Sequence, residues 1–275
     1  MRLYTLTENT AISPDFGCEH GLSLYLDTEN EGPLLFDMGH TELFLQNART
    51  LGLDIGKVTR AFLSHGHYDH GGGLAAFLRE NDHAPVYVHH RAFEPHFSQK
   101  PNGIEEIGLD RTLQHHPRLA AAGDVQEVSP NLLLFADVTG TECQSAGCKT
   151  LLEREGEQYV PDSFAHEQSL IVYEKGKCIL FTGCAHRGVV NLVQKAAEHA
   201  GRMPDVVVGG MHLYSPNRGQ SEPDELIEEI GRRLEATGAR YLTGHCTGPH
   251  AYTLLHDMLG DQVGALSAGC CWDIS

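Results

Sequence analysis

The stretch that most constrains the fold of this chain is "FLSHGHYDHGGGL", residues 62–74. A short apolar run leads into His65 and His67, which are two residues apart and therefore point to the same side of an extended segment. The glycine-rich turn that follows allows Asp69 and His70 to fold back at close range. Three imidazoles and one carboxylate within six residues are ligand types that hold zinc, iron or manganese. The spacing predicts ligands for two adjacent metal ions.

The rest of the chain alternates short apolar runs with amphipathic stretches, which predicts an α/β fold. "EKGK" at 174–177 predicts a hairpin turn, so the sheets should be mixed. One domain with two sheets and helices on their outer faces is expected. The expected strands are 2–6, 22–26, 33–39, 59–65, 85–90, 131–137, 169–183, 204–210, 239–244 and 262–266. The expected helices are 41–52, 72–81, 187–201, 221–238 (Ser221 as N-cap, Gly238 as stop) and 248–260.

Two polar segments interrupt this alternation and contain few strand-like runs. They cover about 98–118 and 138–165. Long irregular segments within a compact domain are commonly functional lids or disordered stretches. We predict lid-like insertions over a site, with purely decorative insertions as the alternative.

The charge balance excludes several classes of partner. The chain has 20 basic and 37 acidic residues, a net charge of -17, which repels nucleic acid and anionic membrane surfaces. A small anionic substrate held by local positive charge remains compatible. No apolar run approaches the roughly 18 to 20 residues of a membrane span, and no signal segment is recognisable, so a soluble cytoplasmic protein is expected. Nothing in the sequence indicates an oligomeric state.

The eight cysteines show no regular pairing pattern. They are therefore expected to be free thiols or metal ligands and not a disulfide framework. Cys143 and Cys148, in "CQSAGC", remain an alternative as half of a zinc or iron–sulfur site.

"SHGHYDHGG" resembles the signature of the metallo-β-lactamase superfamily, and "LLFDMG" (34–39) and "GHCTG" (244–248) resemble two further motifs of it. The resemblance covers nearly the whole chain and implies a single domain over 1–275, a four-layer αββα sandwich with metals in loops at one edge of the sheets. More narrowly, "CEHGLSLYL", "GCAHRGVVN" and "GGMHL", in order with the other motifs, resemble proteins related to the archaeal dihydropterin ribofuranosyl-aminobenzene phosphate synthase.

The resemblance also implies a ligand set. His65 and His67 match ligands of the first metal, and Asp69 and His70 match ligands that are shared or belong to the second. His245 matches the last ligand of the second metal. The narrower subgroup favours His186 as a further ligand, with His212 as a ligand or a catalytic hydrogen-bonding group. The wider superfamily favours His166 and Cys184 in these places, and they remain the alternates.

Other residues are expected around the metals. Asp37 is expected to accept the free N–H of a ligating imidazole, which fixes the tautomer of the ring; satisfying its own turn is the alternative. Glu19 and His20 are candidates for substrate binding at the same edge. Arg187, directly after His186, is a candidate for contacting a substrate phosphate.

The expected activity is that of a metal-dependent hydrolase or transferase acting on a small and, in one reading, phosphorylated molecule. Two divalent ions are expected, zinc foremost, with iron or manganese also compatible. They would supply a metal-activated hydroxide or polarise a phosphoryl or pyrophosphate oxygen. Asp69 would position the hydroxide and His212 would protonate the leaving group. The alternatives are an iron-dependent oxygen or sulfur redox enzyme and a metal-binding sensor without turnover.

Overall fold

A computed structural model describes residues 1–274 and contains twenty strands and six α-helices over that range. The strands are β1 (Arg2–Thr7), β2 (Ser23–Asp27), β3 (Pro33–Phe36), β4 (Arg60–Phe62), β5 (Val86–His89), β6 (His96–Lys100), β7 (Gly103–Glu106), β8 (Leu119–Ala122), β9 (Val125–Ser129), β10 (Leu132–Phe135), β11 (Leu151–Glu155), β12 (Gln158–Pro161), β13 (Ser169–Glu174), β14 (Lys177–Phe181), β15 (Val206–Val208), β16 (Tyr214–Ser215), β17 (Gln220–Ser221), β18 (Arg240–Thr243), β19 (Val263–Ala265) and β20 (Cys271–Asp273). The helices are α1 (Leu43–Thr50), α2 (Tyr68–Gly71), α3 (Leu74–Glu80), α4 (Val189–Ala200), α5 (Asp224–Glu235) and α6 (Pro249–Leu259).

Two mixed seven-stranded sheets form the centre of the molecule. The first has the order β20-β1-β2-β3-β4-β5-β8 and the second β19-β18-β15-β14-β13-β10-β9. Their facing sides share one apolar core, in which the Phe36 and Phe181 ring centroids are 5.6 Å apart. Helices α1 and α3 cover the outside of the first sheet, and α4, α5 and α6 cover the outside of the second. This is the predicted four-layer αββα sandwich.

Of two local predictions, a hairpin turn at 174–177 and a helix cap at Ser221, the structure confirms only the first. The hairpin at 174–177 is confirmed: β13 and β14 pair antiparallel, and Lys175 and Gly176 both have positive φ, as a tight hairpin turn requires. The prediction that Ser221 caps a helix is wrong. Ser221 pairs with Tyr214 in the β16–β17 ribbon, and α5 begins three residues later, with Pro223 in the N-cap position.

The two polar segments are not poor in strands, contrary to the sequence-based expectation. β6 and β7 come largely from the first segment and β11 and β12 from the second, and they form one sheet of order β12-β11-β6-β7, here called the cap sheet. β6 and β11 pair across the two segments, with Ser98 opposite Leu151. These strands escaped prediction because they are short and polar, and every residue of β7 is exposed.

None of the helices within residues 1–274 combines the length and the apolar character that a membrane span requires.

Candidate metal centre

The predicted motif residues converge at one edge of the two main sheets. The segments that carry them follow directly after β3, β4, β14, β15 and β18. Within each sheet these strands are parallel neighbours, β3 with β4 and β14 with β15 and β18, so their carboxyl ends lie side by side. This is the edge at which open α/β sheets bind ligands.

The first group of imidazoles consists of His65, His67 and His186. The first two lie in the loop between β4 and α2, with ring centroids 4.6 Å apart. The His186 ring lies 4.8 Å from that of His65 and 5.0 Å from that of His67. One ring nitrogen of each lies within 4.8 Å of the others, and all three side chains are buried. The group can therefore hold one metal ion.

The second group consists of Asp69, His70 and His245. Nε2 of His245 lies 3.2 Å from an Asp69 carboxylate oxygen and 3.2 Å from Nε2 of His70. His20 joins this group from outside, with Nε2 3.3 Å from the same Asp69 oxygen and its ring 4.7 Å from that of His245. A carboxylate between imidazoles is a ligand set suited to a second divalent ion.

Cys184 lies between the two groups. Its sulfur is 3.1 Å from Nε2 of His70, and it is within 4.8 Å of ligand atoms of His65 and, separately, of His186. His186 and Cys184 were rival candidates in the sequence. The structure brings both side chains into the cluster, so the two are compatible with a single site.

Four of the imidazoles are held by a hydrogen bond at Nδ1, which leaves Nε2 for the interior of the cluster. The Nδ1 distances lie between 2.6 and 2.9 Å. Such partners fix the tautomer of a ligating histidine and raise its basicity. The partners are Ser64 for His65, Asp37 for His70, Glu167 for His186 and Asn9 for His245. The hydrogen bond expected of Asp37 is thus present, whereas sequence reasoning missed the other three partners.

The buried nitrogens of this cluster fit a metal ion. Nε2 of His65 and Nε2 of His67 are buried without a hydrogen-bond partner within the described chain, an arrangement that costs free energy unless a ligand satisfies them. Burial, reinforced by the neighbouring imidazoles, lowers the pKa of His65 and His67 well below 6.5. Both rings are therefore neutral at pH 7, which is the form that binds metals.

His166, one of the alternates, braces the loop beside the first group and also belongs to a further buried group, with His67, His96 and Asp162, whose ligand atoms lie within 4.8 Å of one another. Its Nδ1 accepts the backbone N–H of Gly66 at 2.9 Å, and its Nε2 lies 3.3 Å from an Asp162 carboxylate oxygen, which His96 also contacts at 3.1 Å. A neutral ring that accepts at Nδ1 carries its proton on Nε2, so both ring nitrogens have protein partners in this arrangement. His166 thereby fixes the backbone between His65 and His67.

Close packing of the turns explains the glycines of two motifs. Gly183 has φ of +63°, and a Cβ there would come within 2.3 Å of the Ser64 hydroxyl. A Cβ on Gly210 would lie 2.4 Å from the Cys246 sulfur. The "TGC" and "GGMH" turns therefore approach their neighbours more closely than any side chain would permit.

His212 lies at the mouth of the cluster. Its ring centroid is 4.5 Å from that of His186, and its backbone N–H donates to the Cys246 sulfur at 3.3 Å. Burial alone would lower the pKa of His212, but interactions with the side chains of Cys148 and Cys246 outweigh it and raise that pKa to about 9. A protonated imidazole at this position can donate a proton or a hydrogen bond.

Two predicted substrate-binding residues lie away from the cavity beside the cluster. The Glu19 carboxylate accepts backbone N–H bonds from His40 and Thr41 and so braces a loop. Arg187 donates its backbone N–H to Glu167 and is not a lining residue. His20, by contrast, lines the cavity.

The cavity has a volume of about 240 Å³ and three walls. The two groups of candidate ligands together with Cys184, here called the ligand cluster, form one wall. Residues Ser215–Asn217, at the β16–β17 ribbon, form another. The third consists of the cap sheet and its flanking residues: Ser98, Lys100, Ile107, Thr150 and Leu151. The two polar segments thus border the site, as lids would.

The cysteines are all free thiols. Cys143 packs against the core outside the second sheet, whereas Cys148 is buried with its sulfur 3.5 Å from the His186 carbonyl oxygen. These different surroundings do not favour a shared Cys143–Cys148 metal site. Cys246, which sequence reasoning left out, lies within 4.8 Å of ligand atoms of Cys184 and His245.

Comparison with known proteins agrees with this geometry. The profile of the metallo-beta-lactamase superfamily matches residues 17–193. A 7,8-dihydropterin-6-methyl-4-(beta-D-ribofuranosyl)-aminobenzene-5'-phosphate synthase from Methanocaldococcus jannaschii is 29% identical over 286 residues, covering 98% of this chain and 95% of that protein. An uncharacterised protein of the same organism is 27% identical over 262 residues, covering 92% and 93%.

Among solved structures, Tm1679, described as a metal-dependent hydrolase of the beta-lactamase superfamily, superposes with a TM-score of 0.83 at 27% identity, covering 100% of this chain and 99% of the other. The matched profile spans more than half of the chain and includes the His65–His70 motif. The sandwich fold and the histidine cluster at its edge agree with that match. The chain therefore belongs to the metallo-beta-lactamase superfamily.

Proposed function

We propose that the protein is a metal-dependent enzyme that transfers a phosphoryl-type or pyrophosphate-activated group of a small molecule to water or to another acceptor. The observation that carries this proposal is the set of buried imidazoles whose Nδ1 atoms are anchored and whose Nε2 atoms face one another. Such preorganisation is costly without a metal and is the arrangement a catalytic metal site needs.

The proposed ligands form two groups around one central thiol. His65, His67 and His186 would hold the first divalent ion, and Asp69, His70 and His245 the second, with Cys184 between them. Zinc suits this mixture of imidazole, carboxylate and thiolate. Bound there, the ions would supply Lewis acidity, which lowers the pKa of water and polarises a phosphoryl oxygen.

Asp69 and His212 are the proposed acid–base residues. Burial alone would raise the pKa of Asp69, but His70 and His245 outweigh it and hold that pKa well below its usual range. The carboxylate is therefore ionised and can orient a nucleophile through a hydrogen bond. His212, at the cavity wall with its pKa raised to about 9, is protonated at neutral pH and can give a proton to the leaving group.

The more specific candidate is a transfer reaction. The relative from Methanocaldococcus jannaschii is named as the synthase of a pterin joined to a ribofuranosyl-aminobenzene 5'-phosphate, and the match extends over 98% of this chain. The cavity adjoins both groups of proposed ligands and the cap sheet, so a substrate bound there would lie between the metal ions and the cap sheet. We therefore propose a synthase-like transfer from a pterin pyrophosphate as the first reaction to test.

The test begins with metal analysis of protein purified without added metal. Metal-loaded protein is then assayed with a dihydropterin pyrophosphate, with and without an aromatic ribose phosphate acceptor, and with bis(p-nitrophenyl) phosphate. Product formation that requires the acceptor supports the synthase, and release of pyrophosphate or nitrophenol without an acceptor supports a hydrolase. Iron in the protein together with oxygen consumption contradicts the proposal, as does turnover that survives the combined Asp69→Ala and His70→Ala changes.

A further inference from the structure

The cavity contains one side chain with a permanent positive charge, and it comes from the cap sheet. Among the described lining residues, Lys100 at the end of β6 is the only lysine or arginine. The only carboxylate in the lining is Asp69, in the ligand cluster. In a chain with a net charge of -17, a lysine that faces a cavity is a local exception to the field of the surrounding surface.

The ion pair of Lys100 leaves its charge available to the cavity. Its Nζ pairs with the carboxylate of Glu105, across the β6–β7 hairpin. The Lys100 side chain is 31% exposed and that of Glu105 is 57% exposed, and Glu105 does not line the cavity. The counter-ion is therefore on the solvent side, where an exposed pair is weak and easily exchanged.

Two neutral hydrogen-bonding side chains, those of Tyr68 and Ser98, line the same cavity as this lysine. Ser98 and Lys100 are two residues apart in β6 and therefore point to the same side of the strand. The Ser98 hydroxyl oxygen accepts a hydrogen bond from the Asn217 side chain at 2.7 Å, which leaves the hydroxyl proton free to be donated. An ammonium group, a phenol and a hydroxyl that line one cavity, in which the only carboxylate belongs to the ligand cluster, are complementary to a phosphate monoester.

We propose that Lys100, assisted by Tyr68 and Ser98, binds a phosphate monoester of the substrate that is distinct from the group reacting at the metal centre. This inference rests on the proposed function, since it places a substrate across the cavity between the ligand cluster and the cap sheet. It makes the cap sheet the element that selects anionic substrates.

The test compares AMP, an aromatic riboside that carries a 5′-phosphate, with adenosine, the same riboside without the phosphate. Each is measured as an inhibitor of bis(p-nitrophenyl) phosphate hydrolysis by the metal-loaded full chain. The inhibition constant of adenosine divided by that of AMP isolates the contribution of the phosphate to binding. Lys100→Gln should reduce this ratio about tenfold, the usual effect of losing one hydrogen bond to a charged group.

The matched control is Arg111→Gln. Arg111 also pairs with a glutamate of β7, Glu106, but it does not line the cavity, so the ratio should stay at the wild-type value. Glu105→Gln removes the counter-ion of Lys100 and should leave the ratio unchanged or raise it. Thermal unfolding of each variant confirms that the fold is intact.

An unchanged ratio in Lys100→Gln would overturn the inference, because the phosphate would then be bound by the metal centre alone. If the wild-type chain fails to hydrolyse the diester, the proposed hydrolytic activity fails separately. Calorimetric titration of AMP and adenosine into the same metal-loaded variants then gives the ratio of dissociation constants directly. The same tenfold difference supports the inference, and equal ratios reject it.

Discussion

Glu167 offers the sharpest test of the ligand assignment, because its carboxylate contacts His186 and not the metal position itself. It accepts the His186 backbone N–H at 2.8 Å, the His186 Nδ1–H at 2.9 Å and the Arg187 backbone N–H at 3.0 Å. The side chain is fully buried. Glu167→Gln removes the charge and turns an amide NH₂ toward one or two of the three donors, so at least one hydrogen bond becomes a repulsive contact.

The expected cost has two parts. Loss of a hydrogen-bond partner behind a ligating histidine lowers metal affinity by about 10- to 100-fold, which corresponds to about 1.4 to 2.8 kcal/mol. Loss of charge-assisted hydrogen bonds to a buried carboxylate should also lower the free energy of unfolding of the metal-free protein by about 1.5 to 3 kcal/mol. Urea unfolding in the presence of a chelator measures this loss of stability in the metal-free protein. The measurement thereby separates the effect on folding from the effect on metal binding.

Zinc affinity is measured by competition with a chromophoric chelator. The matched control is Glu153→Gln: this glutamate is also largely shielded, at 14% exposed, but it contacts Ser163 and Arg91 away from the ligand cluster. We expect unchanged zinc affinity in the control. A folded Glu167→Gln variant that binds zinc as tightly as the wild-type chain would refute the assignment of His186 as a ligand.

Three further predictions follow from burial and charge. Because burial lowers the folded-state pKa of His65 and His67 well below 6.5, the unfolded chain takes up protons that the folded metal-free chain does not. Its free energy of unfolding should therefore fall below about pH 6.5, by up to about 1.4 kcal/mol per pH unit for each histidine, as urea titrations at several pH values would show; a flat profile contradicts this. His212→Gln should lower kcat by about 10²- to 10⁴-fold with metal content unchanged, measured by steady-state kinetics and metal analysis; loss of metal would instead identify a ligand. Burial raises the pKa of the Cys178 thiol to about 11, so a thiol reagent at neutral pH should label exposed Cys271 and leave Cys178 unmodified until the chain unfolds, as peptide mass spectrometry would detect.

The αββα sandwich and most of the ligand cluster could be predicted from the sequence, because local sequence patterns encode both. His65, His67, Asp69 and His70 lie within six consecutive residues, and strand–helix alternation predicts the layers. The hydrogen-bond partners are different. Glu167 lies 19 residues before His186, and Asn9 lies 236 residues before His245. No periodicity connects such pairs, so only the folded chain identifies them.

The rival roles of neighbouring residues also required the fold. His166 and Glu167 are adjacent, yet the first braces Gly66 and the second orients His186. The direction of each side chain depends on the turn before β13, which composition does not specify. The cap sheet was missed for a related reason: its strands are short and largely polar, so they lack the apolar alternation by which strands are recognised.

Anomalous diffraction from crystals of the zinc-loaded protein tests the central claim most directly. We predict two peaks within the cluster. One has Nε2 of His186 at about 2.0 to 2.1 Å, and the sulfur of Cys184 lies at about 2.3 Å from at least one of the two ions. A cluster without anomalous density, or density with the His186 ring turned away from it, would contradict the account.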